Sequence, residues 1–151
     1  AGGHVAAAAA TVPGLNEPGE NTAIECRPVA LVLFNPVFDN GPDGGWGHET
    51  VKGYWQEISP AHNLSAKTPP TVVFVGSEDK LIPLATVQRF KQRMEANGRR
   101  CDTHIYAGQG HGFFNYKNPE YYAKTVIEMD RFLASLGLLA GEPTLKPGST
   151  K

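Results

Sequence analysis

Only two cysteines occur in 151 residues, Cys26 and Cys101, with no Cys-x-x-Cys pair, so the chain has neither a disulfide scaffold nor a cysteine metal knuckle. An excess of one charge is missing too. The 14 basic and 15 acidic residues give a formal net charge of -1, and no basic run offers a surface for nucleic acid or an anionic membrane. No apolar stretch approaches the roughly 20 residues of a membrane-spanning helix; the longest run of small apolar residues, Val5 to Ala10, is mostly alanine. An internal repeat is absent, and His48 and His62 lack ligand spacing, so no metal site is expected. The chain also opens without Met, at Ala1, directly in a helix-forming tract, and reads as a piece of something longer. What is present is an ordinary globular composition, 40% hydrophobic and 19% charged, at the length of one domain.

The alanine content of Ala1 to Thr11 predicts a helix stopped by Val12-Pro13-Gly14, and the polar segment from Asn16 to Pro28 predicts a surface connection. Val29 to Phe34 and Thr71 to Val75 are short apolar runs of the kind found in parallel strands covered on both faces. Between them, Asn35 to Trp46 reads as a long loop and Gly53 to Glu57 as a short helix. Leu84, Val87, Phe90 and Met94 recur at helical spacing before Gly98, a residue suited to a left-handed helix end. Cys101 to Ala107 alternates in a way that predicts a half-buried edge strand, with Asp102 and His104 facing solvent. Pro119 opens a last helix whose stripe is Tyr122, Val126, Met129, Phe132, Leu133 and Leu136. Strands alternating with helices in this order build an α/β fold, a parallel sheet with helices on its faces.

In such sheets the chemistry sits beyond the carboxyl ends of the strands. After Thr71 to Val75 comes Gly76-Ser77-Glu78-Asp79-Lys80-Leu81-Ile82-Pro83, and after Cys101 to Ala107 comes Gly108-Gln109-Gly110-His111-Gly112-Phe113. Asp79 and His111 each stand four residues past a strand. Neighbouring strands lie about 4.8 Å apart, so the two side chains can meet. A carboxylate accepting from one imidazole nitrogen fixes the tautomer and leaves the other nitrogen to take a proton from a nucleophile. The competing role for Asp79 is a cap for the helix near Pro83, and for His111 a loop histidine held by backbone. Glu78 is the neighbouring acid, and His4 reads as structural. Ser59, Ser65 and Ser77 lie outside any Gly-x-Ser-x-Gly turn, so none is assigned as a nucleophile. Phe38, Trp46, Trp55 and Phe113 are candidates for a pocket wall or for local packing. With one strand between them, Cys26 and Cys101 should be about 9 to 10 Å apart, beyond disulfide reach.

Ala1-Gly2-Gly3-His4-Val5-Ala6, Leu33-Phe34-Asn35-Pro36, the Gly76 to Pro83 segment and Gly110-His111-Gly112-Phe113 together resemble the C-terminal half of an α/β-hydrolase. The likeness is to the carboxylesterase and acetyl-esterase/lipase group, near the feruloyl and acetyl-xylan esterase-like enzymes. It implies a partial α/β-hydrolase domain over residues 1–139 and a polar C-terminal tail over 140–151. It also implies that Asp79 and His111 are the acid and base of a triad, and that Ala1 follows the nucleophile and lends its backbone N–H to the oxyanion. The serine itself would then immediately precede position 1. The implied activity is hydrolysis of a short acyl ester, a small-molecule substrate with its alcohol on a sugar or plant polysaccharide, and without a cofactor. Missing its nucleophile, the chain alone is expected to be inactive. A prolyl-oligopeptidase-type peptidase shares the Asp-then-His order. A non-catalytic assembly module is the third reading, because a strand at Val29 to Phe34 left unpaired on one side invites a homo-oligomer or a companion N-terminal segment.

Overall fold

The computed structural model describes residues 1–146. Helix α1 (Gly2–Thr11) is followed by a long connection and strand β1 (Leu31–Phe34). Then come α2 (His48–Val51), β2 (Thr71–Gly76), α3 (Leu84–Ala96), β3 (Cys101–Tyr106) and α4 (Pro119–Ser135). The strands pair in parallel in the order β1-β2-β3, with Leu31 opposite Thr71 and Thr71 opposite Cys101. The expected α/β fold is therefore present, and all three strands end at the same rim.

The period-two geometry of a strand divides the core. Val73 and Val75 of β2, with Leu31 and Leu33 of β1, face Ala7 and Ala10 of α1 and Val87, Phe90 and Met94 of α3. Val72 and Phe74 point to the opposite face, where Phe113, Phe132 and the partly buried Met129, Leu133 and Leu136 of α4 cover them. Small residues let α1 lie close: a Cβ at Gly3 would come within 2.9 Å of the Pro36 Cβ. Gly98 and Gly137, at φ of +67° and +71°, terminate α3 and α4 as expected.

Four expectations need correction. Val29 is not in the first strand; it is 72% exposed, and the ladder begins only where the Leu31 N–H bonds the Pro70 carbonyl. The helix expected over Gly53 to Glu57 is instead α2 upstream and a single 3₁₀ turn at Trp55–Glu57, because Gly53 interrupts the run. In β3 the expected division holds only in part: Cys101 is buried on the α3 side, but Ile105 on the same side is 47% exposed, and the His104 ring, expected in solvent, stacks on Phe74 with centroids 5.2 Å apart. A strand with a neighbour on one side only has less to bury Ile105 against. The α4 stripe holds at Met129, Phe132, Leu133 and Leu136 but not at its start, where Tyr122 is exposed and Ala123, Thr125 and Ile127 are buried instead. Of the tail, Glu142, Pro143 and Leu145 border a cleft with β3 and α4; residues 147–151 lie outside the described residues.

Both cysteines are free, Cys26 exposed and Cys101 buried. Desolvation pushes the Cys101 thiol up to about 12, which keeps it protonated and unreactive at neutral pH. Alkylation of the folded chain with iodoacetamide at about pH 8 should therefore give one adduct, at Cys26, with Cys101 modified only after unfolding; equal labelling of both in the folded state would contradict this burial.

Candidate active site

The parallel register sets Gly76 opposite Tyr106, so the turns leaving β2 and β3 start at one level. The turns are stitched together by the backbone. Ser77 N–H donates to the Tyr106 carbonyl at 2.9 Å, Glu78 N–H to the Gln109 carbonyl at 2.9 Å, and Gly108 N–H to Ser77 Oγ at 2.8 Å. The second turn crosses directly over Gly76, where any Cβ would collide with the Gln109 carbonyl. Gly108 and Gly112, at φ of +72° and +80°, supply the left-handed bends that carry His111 between them. Gly110 has no such requirement.

Asp79 has no solvent-exposed side-chain surface, and its carboxylate is held from two sides. One oxygen, Oδ1, accepts the backbone N–H groups of Leu81 and Ile82 at 2.8 and 3.1 Å; the other, Oδ2, lies 2.9 Å from Nδ1 of His111. A buried carboxylate is tolerated only when its acceptor capacity is filled in this way. Asp79 does not cap α3, whose flanking residue is Pro83 and which has no side-chain capping bond; its carboxylate orders its own turn and meets the imidazole. The His111 side chain is 45% exposed, and its Nε2 makes no hydrogen bond to any described residue. With Nδ1 as donor, the neutral ring presents an unprotonated Nε2 outward, the state a general base requires.

Ala1 stands at the N-terminal cap of α1, its carbonyl accepting the Val5 N–H at 3.1 Å. The close fit of Gly3 on Phe34 and Pro36 puts the first turn of that helix against the end of β1, on the rim that bears Asp79 and His111. His4 is structural in its contact, Nε2 meeting the Ile58 carbonyl at 2.7 Å. Phe38 and Phe113 are core residues rather than pocket walls, and Trp55 packs edge-on against His62.

One grouping was not legible in the sequence. Ser59 Oγ lies 2.8 Å from His62 Nδ1, and Asp39 Oδ1 lies 3.9 Å from the same nitrogen. It is not a second catalytic triad. Serine and aspartate share one ring nitrogen instead of flanking the ring, and the wholly buried Ser59 hydroxyl is occupied by the Asn40 N–H and the Phe38 carbonyl. Burial first, and the Arg93 charge second, hold His62 below its ordinary pKa.

A parallel sheet with a bonded Asp and His past the ends of successive strands is an arrangement of the α/β-hydrolase fold, and the structural neighbours share that fold. Residues 48–134 match the model of the dienelactone hydrolase family, and the chain belongs to that family. It is similar to esterase 2 of the planctomycete Thermogutta terrifontis in its native form, at 34% identity and a TM-score of 0.82 over 96% of this chain and 55% of that one. The form of that esterase phosphonylated by sarin superposes with a TM-score of 0.84 at 33% identity, over 93% of this chain and 56% of that one. A curated Methylorubrum extorquens protein, named "Putative carboxymethylenebutenolidase", is 36% identical over 55 residues, which are 36% of this chain and 19% of the relative. The chain spans about half the length of the solved structures it matches.

Two outcomes follow from this geometry. Gly76→Ala should lower stability by about 1–3 kcal/mol in urea unfolding and shift the His111 ring resonances, because the new methyl must displace the Gln109 carbonyl. Gly2→Ala, in α1 and with nothing within 4 Å, should leave stability unchanged or slightly raised and serves as the control; a neutral Gly76→Ala would contradict the close crossing. For His62, a folded-state pKa below the ordinary 6.5 means that the unfolded chain takes up its proton first. Stability should fall as pH drops through about 6.5 and level off below the folded-state value, and His62→Gln should flatten that segment of the pH–stability curve; an unchanged curve would contradict it.

Proposed function

We propose that the chain carries the acid–base half of a serine carboxylic-ester hydrolase, with His111 as general base and acid and Asp79 as the carboxylate that orients it. The observation carrying this reading is the 2.9 Å contact between Nδ1 and Oδ2, made by a fully buried carboxylate to a ring whose other nitrogen is open. In the resemblance the nucleophilic serine directly precedes Ala1. As its Oγ attacks the acyl carbonyl, Nε2 of His111 takes the hydroxyl proton, and the imidazolium is stabilised by Asp79. The Ala1 N–H, a peptide amide in any chain continuing upstream, donates to the oxyanion. His111 then gives its proton to the departing alcohol, and the same steps with water release the acid.

A short acyl group is favoured because the Thermogutta esterase was solved with propionate and with butyrate bound. The alcohol side, a sugar or plant polysaccharide, comes from the resemblance to the acetyl-xylan and feruloyl esterase-like enzymes. Hydrolysis of p-nitrophenyl butyrate tests the reading. The chain beginning at Ala1 should show no turnover that depends on His111, whereas a chain continued upstream through its own elbow serine should be active. In the latter, His111→Ala should cost about 10⁶-fold and Asp79→Asn about 10⁴-fold in kcat. Turnover by the chain beginning at Ala1 that His111→Ala abolishes would contradict the placement of the serine. Indifference of the extended chain to both substitutions would contradict the roles of the pair.

A further inference from the structure

Asn35, the residue that follows β1, is the one non-glycine residue with positive φ among the described residues, at +40°, and it is buried. Asparagine tolerates this region better than other residues bearing a side chain, yet the conformation still costs free energy that its surroundings must offset. Those surroundings are specific. The Asn35 backbone N–H donates to the Phe74 carbonyl at 2.9 Å. Its side-chain amide fits one way round, because a carbonyl can only accept and a backbone N–H can only donate. In that orientation Nδ2 donates to the Phe74 carbonyl at 3.2 Å, and Oδ1 accepts the Gly112 N–H at 3.0 Å. Gly112 directly follows His111 and is itself left-handed, at φ of +80°. One side chain therefore spans from the end of β1, past β2, to the turn that carries the base.

We propose that Asn35 is a positioning residue for His111: its amide clamps the Gly112 N–H and so holds the imidazole on Asp79. This rests on the assignment of His111 and Asp79 as base and orienting acid. The Asp79 carboxylate is fixed by its own turn through the Leu81 and Ile82 amides, so it needs no such clamp. The His111 ring makes a single hydrogen bond, and of the adjacent Gly112 only the carbonyl is held locally, by the Asn115 N–H and Nδ2 at 3.3 and 2.6 Å, which leaves the Gly112 N–H to Asn35. The Asn35 bridge restricts this segment. It also links the rim to α1, because Pro36, the next residue, is the contact that excludes a side chain at Gly3. The start of the helix and the base are thus set by adjacent residues of one turn.

Nuclear magnetic resonance on the full 151-residue chain tests this without an activity measurement. In the unmutated chain, a coupling across the hydrogen bond from the Gly112 amide nitrogen to the Asn35 side-chain carbonyl carbon is expected, together with a low-field His111 Nδ1 proton. In Asn35→Gly, which keeps the left-handed backbone and deletes the bridge, Gly112 amide exchange should rise about fivefold, the loss of one ordinary hydrogen bond, and the His111 proton signal should be lost. Absence of the coupling in the unmutated chain would overturn the proposal even if Asn35→Gly fails to fold. So would a His111 signal that survives Asn35→Gly. An unmutated chain that has the coupling to Gly112 but no Nδ1 proton on His111 would instead contradict the pairing of His111 with Asp79.

Discussion

The in-register parallel ladder between β2 and β3 is the constraint on which the rim depends. Because Gly76 faces Tyr106, two turns leave the sheet side by side and at the same height. Three backbone and side-chain bonds then tie Ser77, Glu78 and Gly108 across the gap before either functional side chain is reached. A slip of one residue would turn every β3 side chain to the other face and move His111 away from Asp79. The apolar division of β2 opposes that slip, with Val73 and Val75 sealed on one side and Val72 and Phe74 on the other. Sheet packing and site geometry are in this sense one property.

The two partners solve opposite problems. Asp79 is a charge withdrawn from water and is stabilised by filled hydrogen bonds, two from its own turn and one from the imidazole. His111 keeps nearly half its side-chain surface in solvent, so one ring nitrogen can bond the carboxylate while the other stays reachable. The Ser59, His62 and Asp39 grouping shows the contrast. Similar residue types are present there, but the serine is sealed in the core and the ring is bonded through one nitrogen, which suits packing and not proton transfer.

Much of this was legible in the sequence where one local rule was decisive. Apolar runs identified β1 and β2, three-and-four spacing identified α3, Pro119 and Gly137 bracketed α4, and the meeting of Asp79 with the Gly-flanked His111 followed from their places past two strands. The resemblance to the esterase group agrees with the structural neighbours, and the matching family model is that of the dienelactone hydrolases. Sequence reading failed where tertiary context decided. How far the α3 side covers β3 is set by packing, since Cys101 is buried there and Ile105 is not, a difference that the alternation of Thr103 and Ile105 does not contain. Asn35 was legible only as the start of a loop and as part of the Leu33-Phe34-Asn35-Pro36 motif, because its left-handed backbone and its reach to Gly112 exist only once three strands are aligned. Ser59 and His62 likewise meet only because a 3₁₀ turn places them three residues apart on one side.

The central claim is that Asp79 and His111 bond to one another in this chain and leave Nε2 free. The most direct measurement is the tautomer of His111, read from its ring nitrogen shifts at a pH where the ring is neutral. The account predicts a protonated Nδ1 and an unprotonated Nε2, with that preference lost in Asp79→Ala. A ring protonated at Nε2, or a tautomer indifferent to the loss of the Asp79 carboxylate, would contradict it.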